Sequence, residues 1–313
     1  VDKVNLATNR GDVGMMRERL TQRTLAAMGV VAPRTAYAKV TVDGVYAGIY
    51  TMTQQVDKRM LKERFGTVDH ADDGNLYKCI PSVVGSNVCD LKWRGPDKNE
   101  YLVSGCPDGY EHCGLVLKTN EDDPAQNDYA DLMAFIKLLN ETEPQGMAAV
   151  LAQHFDVDPF LRYMAVNAAL YNQDSLAYGK PNNFYLYRRP DTGRWRLLPY
   201  DFDMSYGGPN FASVVTSPLP GQPNFDNNWL PRQVMKVPAL HAKFLTYVKE
   251  VATVWMAADK QAAWVAEFDW LLRKEIAADP NIDLAAWDAA VGEGDKGILA
   301  FVATRRAFLL SGK

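Results

Sequence analysis

The sequence predicts an α+β fold in which helices and local β-hairpins come first and a mostly helical region follows. Alternating polar and apolar residues flank two tight-turn signals, Asp43-Gly44 and Pro190-Asp191-Thr192-Gly193, and this pattern is typical of antiparallel hairpins. After Pro144 most apolar residues recur at helical spacing. With 313 residues, of which 47% are hydrophobic, the chain is long enough for one large domain or for two lobes around a cleft.

Local patterns define the individual elements. An apolar face that starts at an Asp and stops at a glycine predicts a helix over Asp12–Met28, and the alternation around Asp43-Gly44 predicts a hairpin over Ala36–Met52. The elements that follow are a short helix at Asp57–Phe65, strands at Gly74–Lys78 and Leu115–Thr119, and helices at Tyr129–Asn140, Gly146–His154 and Pro159–Asn172. Helices that close the chain are expected at Pro231–Met256, Gln261–Ala277 and Lys296–Leu310.

Composition excludes several classes of partner. The net charge is −4 and the pI is about 5.7, with no block of lysine or arginine, so nucleic acid is not expected as a partner. No apolar run approaches the roughly 18 residues that a membrane-spanning helix needs. The chain begins at Val1 without a methionine, and we therefore expect that a preceding segment has been removed.

The four cysteines lie together in one loop-rich segment, and their spacing fits no zinc-finger pattern. An even number of cysteines in such a segment predicts an insertion held by two disulfides, with three connectivities possible; the alternative is four unrelated thiols. Disulfides indicate an oxidising compartment, which means a secreted, cell-surface or periplasmic protein. The cysteines are Cys79, Cys89, Cys106 and Cys113.

The second hairpin carries the most informative polar residues of the chain. The apolar run Trp195–Tyr200 ends at a pair of carboxylates one residue apart, Asp201 and Asp203. Asn183 stands at the start of the same hairpin, so all three side chains are expected at one edge of a sheet. Buried carboxylates are costly unless donors or a cation meet them. Because Mg²⁺ prefers a few carboxylates plus phosphate oxygens, this edge predicts a phosphoryl-transfer metal site.

Asp174 precedes this hairpin in a loop at the end of a predicted helix, and Asn183 follows it after nine residues. Protein kinases show the same order: a loop Asp that accepts the substrate proton, an Asn for one metal, and a metal-binding Asp after a hairpin. The loop between them contains Lys180, which is a candidate contact to substrate or phosphate. The plainer interpretation of Asp174 is a loop residue bonded only to its neighbours.

An ordered set of motifs resembles the CotH family of kinase-like proteins, which is named for a spore-coat protein. The motifs run in family order from near residue 4 to residue 207, about two thirds of the chain. They are RERL at Arg17–Leu20, GVVAP at Gly29–Pro33, VDGVYAGIY at Val42–Tyr50, GNLYK at Gly74–Lys78, LKTN at Leu117–Asn120, DYADL at Asp128–Leu132, the segment Asn167–Asp174, NFYLY at Asn183–Tyr187 and PYDFDMSYG at Pro199–Gly207.

The resemblance implies an atypical protein kinase with a two-lobed, protein-kinase-like fold. Residues 1–313 would form a single domain, with a smaller α+β lobe at about 1–128 that includes the cysteine-stapled insertion 79–113. The remainder, about 129–313, would form a mostly helical lobe that carries the catalytic hairpin. Its activity would be transfer of phosphate from ATP, with Mg²⁺ or Mn²⁺, to Ser or Thr of a protein substrate such as a coat or cell-surface protein.

The same resemblance implies roles for individual residues. Asp174 would be the catalytic Asp, Asp201 the main metal ligand with Asp203 beside it, and Asn183 a further metal or phosphate ligand. The lysines in family-like strand motifs, Lys78 and Lys118, would be candidates to contact the ATP phosphates.

Two departures from the family pattern bear on the nucleotide site. Gln54 stands where the family commonly has a Glu, so an ion pair near the nucleotide is replaced by an amide. The strands that would carry a kinase's usual ATP lysine are expected upstream of Val1.

Other functions remain open or are disfavoured. The same site can adenylylate or glutamylate a protein, and an inactive cleft would make the chain a surface-binding pseudokinase. The segment Asp201–Ser205 also resembles the start of haloacid-dehalogenase phosphatases, and Asp-x-Asp occurs in glycosyltransferases. Both need βαβ units that this sequence lacks. The histidines are scattered and have no metal-ligand spacing.

Overall fold

The computed structural model describes residues 3–9, 11–82, 88–107, 109–208, 216, 219, 227–292, 294 and 297–311. The fold is mixed α and β with two antiparallel sheets. Its strands are β1 Val4–Ala7, β2 Thr35–Val42, β3 Val45–Gln54, β4 Leu76–Ile80, β5 Leu102–Val103, β6 Cys113–Leu117, β7 Phe184–Arg188 and β8 Trp195–Pro199. Its α-helices are α1 Arg17–Ala27, α2 Lys58–Phe65, α3 Ala130–Glu141, α4 Pro144–His154, α5 Val157–Ala169, α6 Trp229–Lys236, α7 Pro238–Glu250, α8 Ala258–Ala278, α9 Leu284–Val291 and α10 Ile298–Leu310.

The first sheet has the strand order β1-β3-β2, and its hairpin β2–β3 turns at Asp43-Gly44 as the sequence predicts. A strand that was not predicted, β1, pairs with β3 from Val4↔Gln54 to Ala7↔Thr51. The expectation that the strands carrying a kinase's usual ATP lysine lie upstream of Val1 stays a prediction. All four β1 residues are exposed. With only four residues, β1 is at the lower limit of the length at which alternating polarity predicts a strand, so it was not predicted.

The second sheet has the order β5-β6-β4-β7-β8, with every neighbouring pair antiparallel. The predicted hairpin is present, with Phe184 opposite Pro199 and Arg188 opposite Trp195. Strands from before and after residue 128 therefore share one sheet, because β4 pairs with both β6 and β7. The division of the chain into lobes near residue 128 stays a prediction.

The helical region follows the predicted order with two differences. The helix predicted over Pro231–Met256 is split, because Pro238 opens α7 at a position where its missing N–H costs nothing. A π-helical turn, Val251–Trp255, then follows α7. Helix α9 was not predicted; it is capped by Asp283, whose side chain accepts from Ala285 N–H at 2.9 Å. No described helix is long and apolar enough to cross a membrane.

Helix α5 lies at the centre of the main core, with nine of its residues buried. Because an apolar helix surface must be covered, α1, α7 and α10 pack around it. The buried Arg305 of α10 donates to the carbonyls of Ala168 (3.1 Å) and Ala169 (3.3 Å) at the end of α5, and to the Tyr178 hydroxyl (3.2 Å). A cation suits the C-terminus of a helix, and this one also ties the loop after α5 to the C-terminal helix.

The cysteine segment contains two disulfides, as predicted, and the structure selects one of the three connectivities. Cys79 bonds Cys89, and Cys106 bonds Cys113. The first disulfide starts from β4 and the second closes the connection from β5 into β6. Both therefore brace the central strands of the second sheet.

Gly74, just before β4, gives a test of this packing. A Cβ at this position would stand 1.9 Å from the Arg188 carbonyl oxygen and 2.9 Å from Pro190 Cδ. Because backbone cannot yield as a side chain does, we expect Gly74→Ala to lower the free energy of unfolding by about 3 kcal/mol, measured by urea denaturation. Gly146→Ala in α4 is the control, since its Cβ would meet only a Thr142 methyl at 3.3 Å. Equal denaturation midpoints for the two variants would contradict this packing.

Candidate active site

A cleft of about 460 Å³ lies between the first sheet and the end of the β7–β8 hairpin. Strand β1 and the residues after it form one side, and β4, the hairpin and α1 contribute to the rest. The charged or amide side chains that line it are Asn5, Asn9, Asp12, Glu18, Gln54, Lys78, Asp201 and Asp203. The structure therefore brings four of the residues singled out from the sequence into one cleft.

Asp201 and Asn183 stand where the two hairpin strands separate. The Tyr200 N–H donates to the Asn183 carbonyl at 3.2 Å, just outside the ladder. Both Asn183 (φ 58°) and Asp201 (φ 61°) then adopt the left-handed backbone conformation, which Asn and Asp tolerate better than other residues with a side chain. Such sparsely populated conformations cluster at functional sites, and here they mark the edge of the sheet that the sequence identified.

Asp174 and Asn183 are in direct contact. The Asn183 side-chain amide donates to Asp174 Oδ2 (2.9 Å) and to the Asp174 carbonyl (3.0 Å), and Asn182 donates to the same Oδ2 (3.0 Å). Lys180 Nζ lies 3.3 Å from Asp174 Oδ1, and the Asp174 N–H donates to Asn172 Oδ1 at 3.2 Å. The carboxylate is therefore held from several sides, and Asn183 Oδ1 is the amide atom with the lone pairs that a cation needs.

Burial and mutual repulsion raise the pKa of the carboxyl groups at the hairpin end. The pKa of Asp201 is raised to about 7, first by burial and then by the charges of Asp203 and Asp174. Burial, followed by the charge of Asp174, also raises the pKa of Asp203. Carboxylates whose pKa is raised by burial and by neighbouring negative charge are stabilised when a cation joins them.

Helix α1 and the loop before it bring two more carboxyl groups, those of Glu18 and Asp12, to the same place. Burial, with the charge of Asp201 next, raises the pKa of Glu18 to about 8, although its carboxylate accepts from Phe202 N–H and from Gln22. Burial also raises the pKa of Asp12, and the charge of Arg17 opposes this by lowering it. The backbone N–H of Arg17 donates to Asp12 Oδ2 at 2.9 Å. The cleft thus concentrates acidic groups that water does not fully solvate.

Glu18 and Asp12 were not assigned from the sequence. A glutamate in an amphipathic helix is usually a solvated residue, which hides its role. Its position in the helix was the signal that could have found it. Gln22 and Leu25 follow Glu18 at helical spacing of four and seven, which places all three on one face, and all three are buried. A charged residue on the buried face of a helix is the exception that deserves a functional interpretation.

The chemistry of these donors fits a divalent cation shared with phosphate. No three His, Cys, Asp or Glu side chains in the described part of the chain come close enough to hold a metal by themselves. Mg²⁺ is commonly bound by one or two carboxylates, with phosphate oxygens completing its shell. Asp201 and Asp203, with Asn183 Oδ1 at the same edge, supply oxygen donors of that kind.

The two candidate lysines occupy different places. Lys78 lies in the cleft, where its Nζ donates to the Tyr110 hydroxyl at 3.0 Å and lies 4.9 Å from the Tyr200 ring centre. Lys118 follows β6, pairs with Glu121 at 3.6 Å, and does not line the cleft. The structure therefore brings Lys78, and not Lys118, together with the carboxylates.

Gln54 lines the cleft at the end of β3, and its amide is bonded at both ends. Its Nε2 donates to Glu63 at 2.9 Å, and its Oε1 accepts from Arg64 at 3.2 Å. A carboxylate at this position would face Glu63, and like charges at that distance repel. This neighbour gives a physical reason for an amide here.

One known protein family matches almost the whole chain. The family described as CotH kinase protein matches residues 1–309, and the chain belongs to this family. It is 25% identical over 205 residues to the inner spore coat protein H of Bacillus subtilis (strain 168), covering 66% of this chain and 50% of that protein. It is 24% identical over 258 residues to invasin CotH2 of Rhizopus delemar, covering 78% of this chain and 39% of that protein. The matched region thus spans half or less of these relatives.

Glu18 makes stability depend on pH. Between its ordinary pKa of 4.5 and its folded value of about 8, the folded chain holds a proton that the unfolded chain has lost. The free energy of unfolding must therefore fall as pH rises through this window. We expect Glu18→Gln to make this fall shallower in urea denaturation at pH 5 to 8, while the exposed Glu111→Gln keeps the wild-type slope. A wild-type slope in Glu18→Gln would contradict the burial of a protonated Glu18.

Proposed function

We propose that this chain is a kinase-like phosphotransferase that moves the γ-phosphoryl group of ATP to a Ser or Thr hydroxyl of a protein. The observation that carries the proposal is the cleft in which Asp201, Asp203 and Lys78 meet, with the Asp174–Asn183 contact beside it. Family membership supports the kinase-like, two-lobed interpretation. Phosphoryl transfer depends mainly on positioning and on neutralising charge, and these residues are suited to both.

The phosphates of ATP would be bound by positive charges: a divalent cation held by the carboxylates, and the ammonium of Lys78. Asp201, Asp203 and Asn183 Oδ1 would hold Mg²⁺ or Mn²⁺, which when bound neutralises charge on the phosphate oxygens. Lys78 would place a second positive charge on the same phosphates from β4. Glu18 accepts the Phe202 N–H, so it fixes the backbone between the two aspartates and keeps their side chains at the cleft.

The acceptor side rests on Asp174. Its carboxylate would accept the proton of the substrate hydroxyl while that oxygen bonds to the γ-phosphorus. The bond from the γ-phosphorus to the β–γ bridging oxygen breaks, and ADP leaves with the electron pair. Asn182 and Asn183 hold one oxygen of this carboxylate, which fixes its direction. Lys180 supplies positive charge at the other oxygen.

The disulfides and the relatives support a place outside the reducing cytosol. Disulfides persist mainly in oxidising compartments, and this chain contains two. Relatives are named as a spore coat protein and as an invasin. We therefore propose a secreted, cell-surface or periplasmic enzyme whose acceptor is a protein of the same surroundings.

Label position separates the possible reactions. With Mg²⁺ or Mn²⁺, protein label should come from γ-labelled ATP and not from α-labelled ATP, and chelation with EDTA should abolish it. Asp201→Asn should lower the rate by about 100-fold or more, because a charged metal ligand is lost, while Asp43→Asn in the β2–β3 turn should match wild type. Transfer of the α-label would instead indicate adenylylation. Transfer unaffected by Asp201→Asn would contradict the metal assignment.

Asp174→Asn should separate binding from chemistry. The amide keeps the size of the side chain and loses its basicity, so we expect kcat to fall by about 100-fold or more while the affinity for ATP changes little. Calorimetric titration with a non-hydrolysable ATP analogue measures the second quantity. Weaker binding of the ATP analogue together with an unchanged kcat would contradict the role of Asp174 as the proton acceptor.

A further inference from the structure

We propose that Tyr110 is a positioning residue that holds the Lys78 ammonium ready for the nucleotide phosphates, and that the Cys106–Cys113 disulfide keeps Tyr110 in place. This proposal rests on the proposed function, because it takes Lys78 as a phosphate contact. It adds a residue from the cysteine-stapled insertion to the site and gives the second disulfide a role in nucleotide affinity.

Aromatic rings surround the Lys78 ammonium on several sides. Its Nζ lies 4.9 Å from the ring centre of Tyr200, 5.3 Å from that of Tyr110 and 5.7 Å from that of Tyr185. Lys78 is paired with Tyr185 across β4 and β7, so their side chains stand on the same face of the sheet. The faces of the Tyr200 and Tyr185 rings attract a cation through their negative charge, whereas Tyr110 meets the ammonium at its hydroxyl end. The ammonium is therefore held over the sheet beside the cleft.

Tyr110 differs from the other two tyrosines because its hydroxyl accepts a hydrogen bond from Lys78 Nζ at 3.0 Å. A lysine has a flexible stem with three donor hydrogens at its end. One directed acceptor, added to the ring contacts, selects an orientation that the rings alone do not. Tyr110 is itself 37% exposed, so packing around it is incomplete and something else must fix its position.

The disulfide supplies that constraint. Cys113 opens β6 and Cys106 lies shortly beyond β5, and their bond closes the segment that carries Tyr110. The Tyr110 N–H also donates to the Pro107 carbonyl at 3.2 Å within the same segment. Closing a loop removes conformations that would carry the side chain away from its partner.

The first disulfide begins at the residue next to Lys78. Cys79 directly follows Lys78 on β4 and bonds Cys89, and its carbonyl accepts from the Tyr200 hydroxyl at 3.1 Å. This contact fixes the Tyr200 ring, which is the closest ring to Lys78. Each disulfide therefore includes or encloses a residue that supports a Lys78 contact: Cys79 accepts from Tyr200, and the Cys106–Cys113 loop carries Tyr110. Because Lys78 is ordered before the nucleotide arrives, less freedom is lost on binding.

Two measurements test the proposal, one of them independent of nucleotide. The first is the rate at which an amine-acetylating reagent labels Lys78, followed by mass spectrometry with Lys118 as the internal reference. The second is the affinity for an ATP analogue with Mg²⁺, measured by calorimetry. The variants are Tyr110→Phe, which removes only the hydroxyl, and the pair Cys106→Ser with Cys113→Ser, which opens only the Tyr110 loop. Tyr50→Phe, on β3 outside the cleft lining, is the matched control.

We expect Tyr110→Phe to label faster at Lys78 and to bind the analogue about three- to tenfold more weakly, as the loss of one hydrogen bond predicts. The cysteine pair variant should do the same, with Tyr50→Phe unchanged. Wild-type labelling and affinity in Tyr110→Phe would overturn the proposal, even if the cysteine variant fails to fold. A different result would be that Lys78 is labelled faster in Tyr110→Phe but that no protein, wild type included, binds the ATP analogue. That result would overturn the proposed function, and the present proposal with it. In that case Tyr110 would order Lys78, but this order would have no role in phosphate binding.

Discussion

The structure depends on the packing of four carboxyl side chains where helix α1 meets the end of the β7–β8 hairpin. Asp12 and Glu18 come from one side and Asp201 and Asp203 from the other, and burial raises the pKa of each. Among the described residues, Arg17 is the cation paired with this group, through Asp12 at 3.7 Å. Groups of like charge are brought together in this way only when other contacts hold them there.

Those contacts are visible around the carboxyl groups. Glu18 accepts from the backbone of Phe202, Thr21 shares a hydrogen bond with Ser205 at 2.7 Å, and Arg17 donates to the Gly208 carbonyl at 3.4 Å. The segment after β8 is thereby fixed to α1 along its length. A fold that holds acidic groups together at the expense of stability usually does so for function. In the proposed enzyme a divalent cation and a nucleotide relieve the repulsion.

The hairpin and the order of its polar residues were predictable from the sequence because their determinants are local. Turn chemistry at Pro190–Gly193 fixed the pairing of β7 with β8, and pairing brings Asn183 and Asp201 to the same edge. The contribution of α1 was not predictable, because Glu18 and Asp201 are far apart in the chain and no local pattern reports their contact. The same reason applies to β1, whose pairing with β3 leaves its side chains exposed.

The loop that carries Asp174 shows a similar limit. Asp174, Asn183 and Lys180 were singled out from their order, and the contacts among them follow from the short loop that joins them. The support of that loop by Arg305 comes from the last helix, a part of the sequence with no recognisable motif. The disulfide connectivity was also beyond the sequence, since three pairings satisfy the same count.

The most direct test of this account is a crystal structure of the chain with Mn²⁺ and a non-hydrolysable ATP analogue, with the metal located by anomalous scattering. The account predicts a manganese peak beside Asp201 and Asn183, with the phosphates between that metal and Lys78. A nucleotide bound with its metal away from Asp201, or manganese found only at the carboxylates of Glu121, Asp122 and Asp123, would contradict it.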